Sequence, residues 1–277
     1  MKFRAVIRGS GCMRDFLNIV TTLSKCGRDV IFNARPDSVI VAVNVDSALT
    51  GLQLWCDIDR EAFFDEYSMQ GLSDTHNEII LEMKSASFVR ALSGISRTTS
   101  SSFVKLKLMN KNMASLCVEI EVPSSVPSRS CPISHDVPVT VVSRKEWNRY
   151  KLPRLPDFEM ILGVPSVKFF KHIIETMKTS SPIIEVCTVK DGTVSFIMES
   201  TMAKISCHCR DQAVHCEGSQ EELSCKIESK RLALFLTNSP FISSRMRCSI
   251  SPDHLVRFEV EVQKKVIMTC IIPSSCD

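Results

Sequence analysis

Cysteine and histidine crowd one stretch of the chain, Cys207-His208-Cys209 with His215-Cys216 close behind. These are the ligand types that hold zinc, yet a zinc knuckle needs two residues between its cysteines, and here there is one. The surrounding run alternates: Ala203, Ile205, Cys207 and Cys209 share one face of a strand, while Lys204, Ser206, His208 and Arg210 share the other. Strand packing is the expected role, with a metal site as the competing reading. Gly9-Ser10-Gly11 follows a strand and opens a helix, as a dinucleotide-binding loop does. That fingerprint needs glycine at position 14, where the chain has Arg14, and the next strand lacks the acidic ribose partner. A plain strand-to-helix turn fits better. Asp57, Asp59, Glu61, Asp65 and Glu66 form the densest carboxylate group. A nuclease would need such residues to hold Mg²⁺ or Mn²⁺, but around a strand end they read as solvated surface. His135 and Asp136 are adjacent on a strand and so point to opposite faces. There is no P-loop, no G-x-S-x-G elbow and no H-E-x-x-H pair. No catalytic residue, metal ligand or cofactor is therefore expected.

The elements around these residues belong to a folded chain. The 277 residues allow two domains of ordinary size, and 44% hydrophobic with 23% charged residues excludes a disordered chain. The net charge of +3 is too small for a typical sequence-specific DNA reader, so any nucleic-acid role depends on where the charge sits. Thirteen cysteines suggest a disulfide scaffold, but the count is odd and the first eight residues carry no signal-peptide core. Most cysteines sit where a small hydrophobe would, which indicates a reduced, intracellular protein. No apolar run is long enough to span a bilayer, and no membrane is expected.

Period-two alternation predicts strands at 2–7, 29–34, 38–44, 52–58, 77–82, 103–109, 115–121 and 135–142. A second series covers 159–163, 182–189, 193–199, 202–210, 222–228, 245–250, 254–261 and 265–272. Arg35-Pro36-Asp37, Lys190-Asp191-Gly192 and Ser251-Pro252-Asp253 have hairpin turn chemistry. Helical periodicity is confined to 11–25, 85–96, 165–178 and 229–238. The stripes are Phe16, Ile19, Val20, Leu23; Phe88, Leu92, Ile95; Phe170, Ile173, Ile174, Met177; and Leu232, Phe235, Leu236. The same order of elements occurs twice, with Glu82 and Glu228 each ending a strand and Ser85 and Ser229 placed as N-caps. This is a domain-scale duplication: an α+β fold with domains at 1–142 and 158–277. Between them, residues 143–157 hold five basic and two acidic side chains and two prolines, and read as a connector without periodicity.

The polar helix faces are basic. Arg14 and Lys25 lie opposite the first apolar stripe, Arg90 and Arg97 opposite the second, Lys168, Lys171 and Lys178 on the third with Glu175, and Lys230 with Arg231 on the fourth. Solvated helix faces are often basic. A surface that meets phosphates without reading bases has the same composition.

Several segments are similar to the Hus-one family of checkpoint clamp proteins. They are Met1-Lys2-Phe3-Arg4-Ala5, Trp55-Cys56, Phe63-Phe64-Asp65-Glu66-Tyr67, Met69-Gln70-Gly71-Leu72-Ser73 and Asn77-Glu78-Ile79. Further along come Lys105-Leu106-Lys107-Leu108-Met109-Asn110-Lys111, His135-Asp136-Val137-Pro138-Val139 and Arg144-Lys145-Glu146-Trp147. The resemblance spans nearly the whole chain and thins after residue 180. It implies the sliding-clamp fold of the proliferating cell nuclear antigen, with antiparallel sheets outside and four helices on the inner face. It also implies a nuclear, heterotrimeric nine-one-one ring with Rad-nine and Rad-one type paralogues. That ring would be set on double-stranded DNA by a clamp loader and used by repair and signalling proteins in the DNA damage checkpoint. Lys25 and Arg231 fall where the family places basic residues; Ser93 stands where a family lysine is expected. The cysteine-rich strand at 207–216, a shorter stretch before residue 222, and the tail from Pro273 depart from the family. The replicative homotrimeric clamp is the alternative reading, and a repair nuclease the more distant one. In the connector, Arg144, Trp147, Tyr150, Leu152 and Leu155 are expected either to dock partner peptides or, for Trp147, to pack back on its own domain.

Overall fold

The computed structural model describes residues 1–43, 51–97, 103–110, 113–123, 130–164, 167–179, 181–200, 203–216, 218–238, 245–263 and 266–275. The chain divides into two compact units: Met1–Leu49, Trp55–Leu152 and Lys264–Val266 in one, and Thr50–Leu54, Pro153–Gln263 and Ile267–Asp277 in the other.

The first unit begins β1 (Lys2–Arg8), α1 (Ser10–Cys26), β2 (Asp29–Ala34), β3 (Ser38–Val43), β4 (Gln53–Asp59) and a short α2 (Arg60–Phe63). It continues with β5 (Glu66–Gln70), β6 (Ile79–Lys84), α3 (Ser85–Leu92), α4 (Gly94–Arg97), β7 (Phe103–Asn110), β8 (Ala114–Pro123), β9 (Ser130–Pro138) and β10 (Thr140–Val141). Its strands lie in the orders β5-β1-β7-β8-β9 and β10-β6-β2-β3-β4.

The second unit runs β11 (Met160–Val164), α5 (Val167–Met177), β12 (Ile183–Val189), β13 (Thr193–Glu199), β14 (Lys204–Cys209) and β15 (Val214–Cys216). After these come β16 (Glu222–Glu228), α6 (Ser229–Asn238), β17 (Arg245–Ser251), β18 (Leu255–Gln263) and β19 (Val266–Pro273). Its orders are β15-β11-β17-β18-β19 and β16-β12-β13-β14. Substituting β11 for β1, and so on along the chain, turns one pattern into the other except for β10, which has no counterpart in the second unit. The duplication is thus a repeat of topology.

The repeat extends to single hydrogen bonds. Ser85 and Ser229 open α3 and α6 and are fully packed. Neither caps its helix. The Ser85 amide donates to the Arg28 carbonyl at 3.0 Å and its hydroxyl to the Gly27 carbonyl at 2.9 Å. The Ser229 amide donates to the Pro182 carbonyl at 2.8 Å and its hydroxyl to the Ser181 carbonyl at 2.8 Å. Each serine ties the start of a helix to the residues just before the neighbouring strand, β2 or β12. The N-cap expectation is corrected because the hydroxyl donates outward to buried carbonyls rather than accepting from its own helix. Ser229→Ala should leave a buried carbonyl short of a donor and lower stability by about 1–3 kcal/mol. Urea unfolding with an unchanged slope and a lowered midpoint would show it.

The helices pair within units, α1 beside α3 and α5 beside α6. In α1 the buried face is Met13, Phe16, Ile19, Val20, Leu23 and Cys26; in α5 it is Val167, Phe170, Ile174 and Met177. Phe16 meets Phe88 at 6.0 Å between ring centroids, Phe88 meets Phe32 at 6.4 Å, and Phe32 meets Phe3 at 5.4 Å. Aromatic contacts thus run from the helices into both sheets of the first unit.

Other expectations need adjustment. The helix placed at 85–96 breaks at Ser93, whose hydroxyl bonds the Arg90 carbonyl at 2.8 Å, and Gly94 follows with low helix propensity. The connector is not wholly irregular: Arg144–Arg149 winds into a 3-10 helix. Two short strands, β5 and β15, escape the periodicity reading because each is brief and only partly buried. The three turns fall where their chemistry places them, between β2 and β3, β12 and β13, and β17 and β18. Gly192 in the second adopts φ 89° and Asp253 in the third φ 56°, backbone states that favour such residues.

Candidate nucleic-acid interface and connector

The outward helix positions carry cations. Arg14 and Lys25 are exposed on one face of α1, about 16 Å apart at 1.5 Å per residue. Lys25 sits in the last turn, where the helix dipole favours positive charge. Arg90 is exposed in the last turn of α3. Lys168 is exposed on α5, Lys171 is half-buried there, and Lys178 is exposed one residue beyond its end. Lys230 is exposed at the start of α6. Among the described residues, no carboxylate occupies a fully exposed position on these four helices; Asp15 and Glu175 are half-buried.

Two members differ from the rest. The Arg97 side chain lies outside the described residues. Arg231 is only 19% exposed and pairs with Glu228 at 2.7 Å, so its charge is largely used within the second unit. Composition gave no warning of this, because Arg231 reaches back three residues to the end of β16. Phe169 is a feature that periodicity missed: it stands 52% exposed beside Lys168.

The other chemistry-bearing residues have structural roles. Asp59 accepts from the Ala62 amide at 2.9 Å and caps α2. Asp65 accepts from the Arg8 amide at 2.6 Å, and Glu66 bridges Arg4 and Arg8 at 3.0 Å each. Burial raises the Asp57 carboxyl, with Ser38 and Arg35 opposing the shift. The His208 ring faces Ser195, with Oγ 2.8 Å from Nδ1, while Cys209 is buried on the opposite face of β14. Among the described residues, no three His, Cys, Asp or Glu side chains converge as a metal site requires.

Burial pushes the Cys26 and Cys187 thiols up to about 12, and burial with Cys207 alongside pushes Cys209 to about 11. Such thiols stay protonated and unreactive at neutral pH. Cys12, Cys117, Cys207 and Cys216 are partly exposed. Brief iodoacetamide treatment should label these four well before Cys26, Cys56, Cys187, Cys209, Cys248 and Cys270, as read by peptide mass spectrometry. The raised pKa values also set a sign for stability. Above roughly pH 8.5, where unfolded thiols ionise, the unfolded state loses protons that the folded state keeps, so stability falls as pH rises.

In the connector, Trp147 is only 8% exposed and its indole N–H donates to the Val142 carbonyl at 3.2 Å. Its ring lies 6.4 Å from that of His76. Of the two accounts of Trp147, packing back onto its own unit is the one observed. The Tyr150 hydroxyl donates to Glu82 at 3.1 Å, and partial burial with Glu82 nearby raises its pKa. Leu152 and Leu155 are half-buried and Arg144 is exposed. Trp147 and Tyr150 therefore anchor the connector, and what it offers outward is mainly charge.

The sequence matches the family described as "Hus1-like protein" over residues 1–276. It is 30% identical over 279 residues to "Checkpoint protein Hus1-like" of Drosophila melanogaster, covering 100% of both chains. It is 28% identical over 283 residues to "Checkpoint protein HUS1" of Homo sapiens, covering 99% of both. Its fold is similar to the proliferating cellular nuclear antigen of Entamoeba histolytica, with a TM-score of 0.73 and 12% identity over 99% of each chain. By sequence along its whole length, the chain belongs to the Hus1-like family.

Proposed function

We propose that this chain, a DNA damage checkpoint clamp subunit by family and fold, closes a head-to-tail ring with two paralogues of the Rad-nine and Rad-one type. The ring is set on double-stranded DNA by a clamp loader in the nucleus and receives repair and signalling proteins. The observation that carries this reading is the set of exposed positions on α1, α3, α5 and α6, which among the described residues carry cations and no carboxylate. Such a face attracts phosphates of any sequence and leaves the ring free to slide.

Ring closure has its own support. The sheet of β5, β1, β7, β8 and β9 ends on β9, and the sheet of β16, β12, β13 and β14 ends on β14. Each of these end strands presents an isoleucine to solvent, Ile133 at 42% and Ile205 at 36% exposure. Unpaired edges with apolar side chains are strand-pairing sites, and two unlike edges on one chain give a heterologous contact that closes into a ring.

The test has two readings. Mass measurement should give a one-to-one-to-one assembly with the paralogues. That assembly, once loaded, should stay on closed circular DNA and leave when the circle is cut. A homotrimer would favour the replicative alternative. Retention that is indifferent to cutting would remove encirclement from the account. Metal-dependent cleavage of the DNA by a clean preparation would return the nuclease reading.

A further inference from the structure

The connector bounds a cleft of about 610 Å³ lined by His76, Arg144, Lys145, Trp147, Asn148 and Lys151. Its chemistry is one-sided. Arg144, Lys145 and Lys151 are exposed, and among the described residues none of them is held in an ion pair. Among the described residues, no carboxylate lines the cleft. The neighbouring acid, Glu146, is turned to Ser143, whose hydroxyl lies 2.9 Å from its carboxylate.

The walls of the cleft are fixed. Trp147 is held by the Val142 carbonyl. His76 is placed by a tight loop: its amide donates to Ser73 and its carbonyl accepts from Leu72. Its Nδ1 lies 2.8 Å from the Thr75 hydroxyl and 3.4 Å from that of Ser73. Nδ1 is thus occupied, which leaves Nε2 as the ring's free polar atom. The loop also requires Gly71, where a side chain would meet the backbone of His76 and Asn77 at 2.7 Å. Leu72, whose amide donates to the His76 carbonyl, stands 52% exposed.

We infer that this cleft takes a phosphorylated side chain from an extended segment of a partner protein. A phosphate carries close to two negative charges and three acceptor oxygens. Three cations around a rigid aromatic wall, with the Asn148 amide as an added donor, match that group in charge and hydrogen bonding. Leu72 supplies an apolar contact for the residues flanking it. A carboxylate would satisfy only part of the charge, and a hydrophobic anchor would leave three lysine and arginine heads with nothing to meet. This inference rests on the reading that the ring receives repair and signalling proteins, and it names the chemistry of one that docks.

The experiment uses the full chain and a fluorescein-labelled pool of short random-sequence peptides, each with a central phosphoserine. Polarisation should show binding about tenfold tighter than that of the same pool with serine, or with glutamate, at that position. Arg144→Glu with Lys145→Glu and Lys151→Glu should abolish the difference. These residues are exposed, so circular dichroism and assembly with the paralogues should be unchanged. Lys25→Glu with Lys168→Glu should leave peptide binding intact. Equal binding of the three pools overturns the inference, as does binding that survives reversal of the cleft charges. A short duplex that displaces the peptides, and is itself weakened by the cleft changes, overturns it too by making the cleft part of the DNA path. Ring assembly and retention on circular DNA are read separately, so loss of the cleft's role leaves the clamp reading standing.

Discussion

Lys25→Glu, Lys168→Glu and Lys178→Glu, combined in the assembled ring, should weaken retention on every duplex alike and flatten the dependence of affinity on salt. Each phosphate contact released from duplex DNA lowers the slope of log affinity against log salt by about 0.9. Three lost contacts set the upper limit of the change. Contacts bridged by water release fewer counterions, so the measured drop should fall below that limit. Reversal weakens binding further than removal, because each glutamate repels the phosphate its predecessor drew in. All three side chains are exposed, so the folded chain loses no buried partner. They lie on or just beyond α1 and α5, away from the end strands β9 and β14, and assembly with the paralogues should persist. Base composition should not matter, since point charges on flexible stems lack the paired donor–acceptor geometry that reads base edges. The measurement is a salt titration on two unrelated duplexes. An unchanged slope would take these residues off the DNA path, and a loss confined to one duplex would replace the phosphate account with base recognition.

The helix stripes were legible because burial on one face forces a 3.6-residue period. Phe16, Val20 and Leu23, and Phe170, Ile174 and Met177, are buried as that period requires. Strands such as β1, β16 and β17 were legible for the matching reason that one face is buried and the other meets water. By contrast, β2 and β3 are buried on both faces and showed as short apolar runs. What the pattern could not carry is anything settled by a partner distant in the chain. Ser85 and Ser229 looked like caps because their local context is that of a cap. Their actual acceptors, 58 and 48 residues away for the hydroxyls, become visible only once β2 and β12 lie alongside. β5 alternates Tyr67 and Met69 with Glu66, Ser68 and Gln70, but over five residues and only half-buried, so what marks it as a strand is its pairing with β1. The candidate site was legible as charge and illegible as geometry. Basic residues on helix faces can be counted from periodicity, but that Arg231 turns to Glu228 depends on where β16 ends. His76 could not be connected to Arg144 and Lys151 from sequence spacing at all. The one available signal was the run from Gly71 to His76, whose glycine marks a close approach of backbone to backbone.

Replacing Phe170 by alanine should be among the most damaging single changes in the second unit, and replacing its neighbour Phe169 among the mildest. The two residues have the same chemistry and differ by one step of about 100° around α5. That step carries Phe170 fully inside and leaves Phe169 52% exposed. Inside, the Phe170 ring lies 4.3 Å from Phe196 on β13 and 5.9 Å from Phe258 on β18. From α5 it therefore reaches residues of both sheets of its unit. Truncation removes its transfer free energy and opens a void that two aromatic neighbours cannot fill by rotation, a cost of about 3–5 kcal/mol. Against a total stability of roughly 5–15 kcal/mol, that is enough to populate unfolded chains at 37 °C. Phe170→Leu keeps most of the volume and should cost less than about 1.5 kcal/mol if the neighbours repack. Phe169→Ala should change stability by no more than about 0.5 kcal/mol. Urea unfolding of the three variants tests the ordering, with the midpoint shift read at constant slope so that the native state is known to be the same. If Phe169→Ala proved as costly as Phe170→Ala, the face that α5 turns inward would be wrong. Lys168 and Lys171 would rotate with it, and the basic face of the second unit would no longer be the one assigned to phosphates.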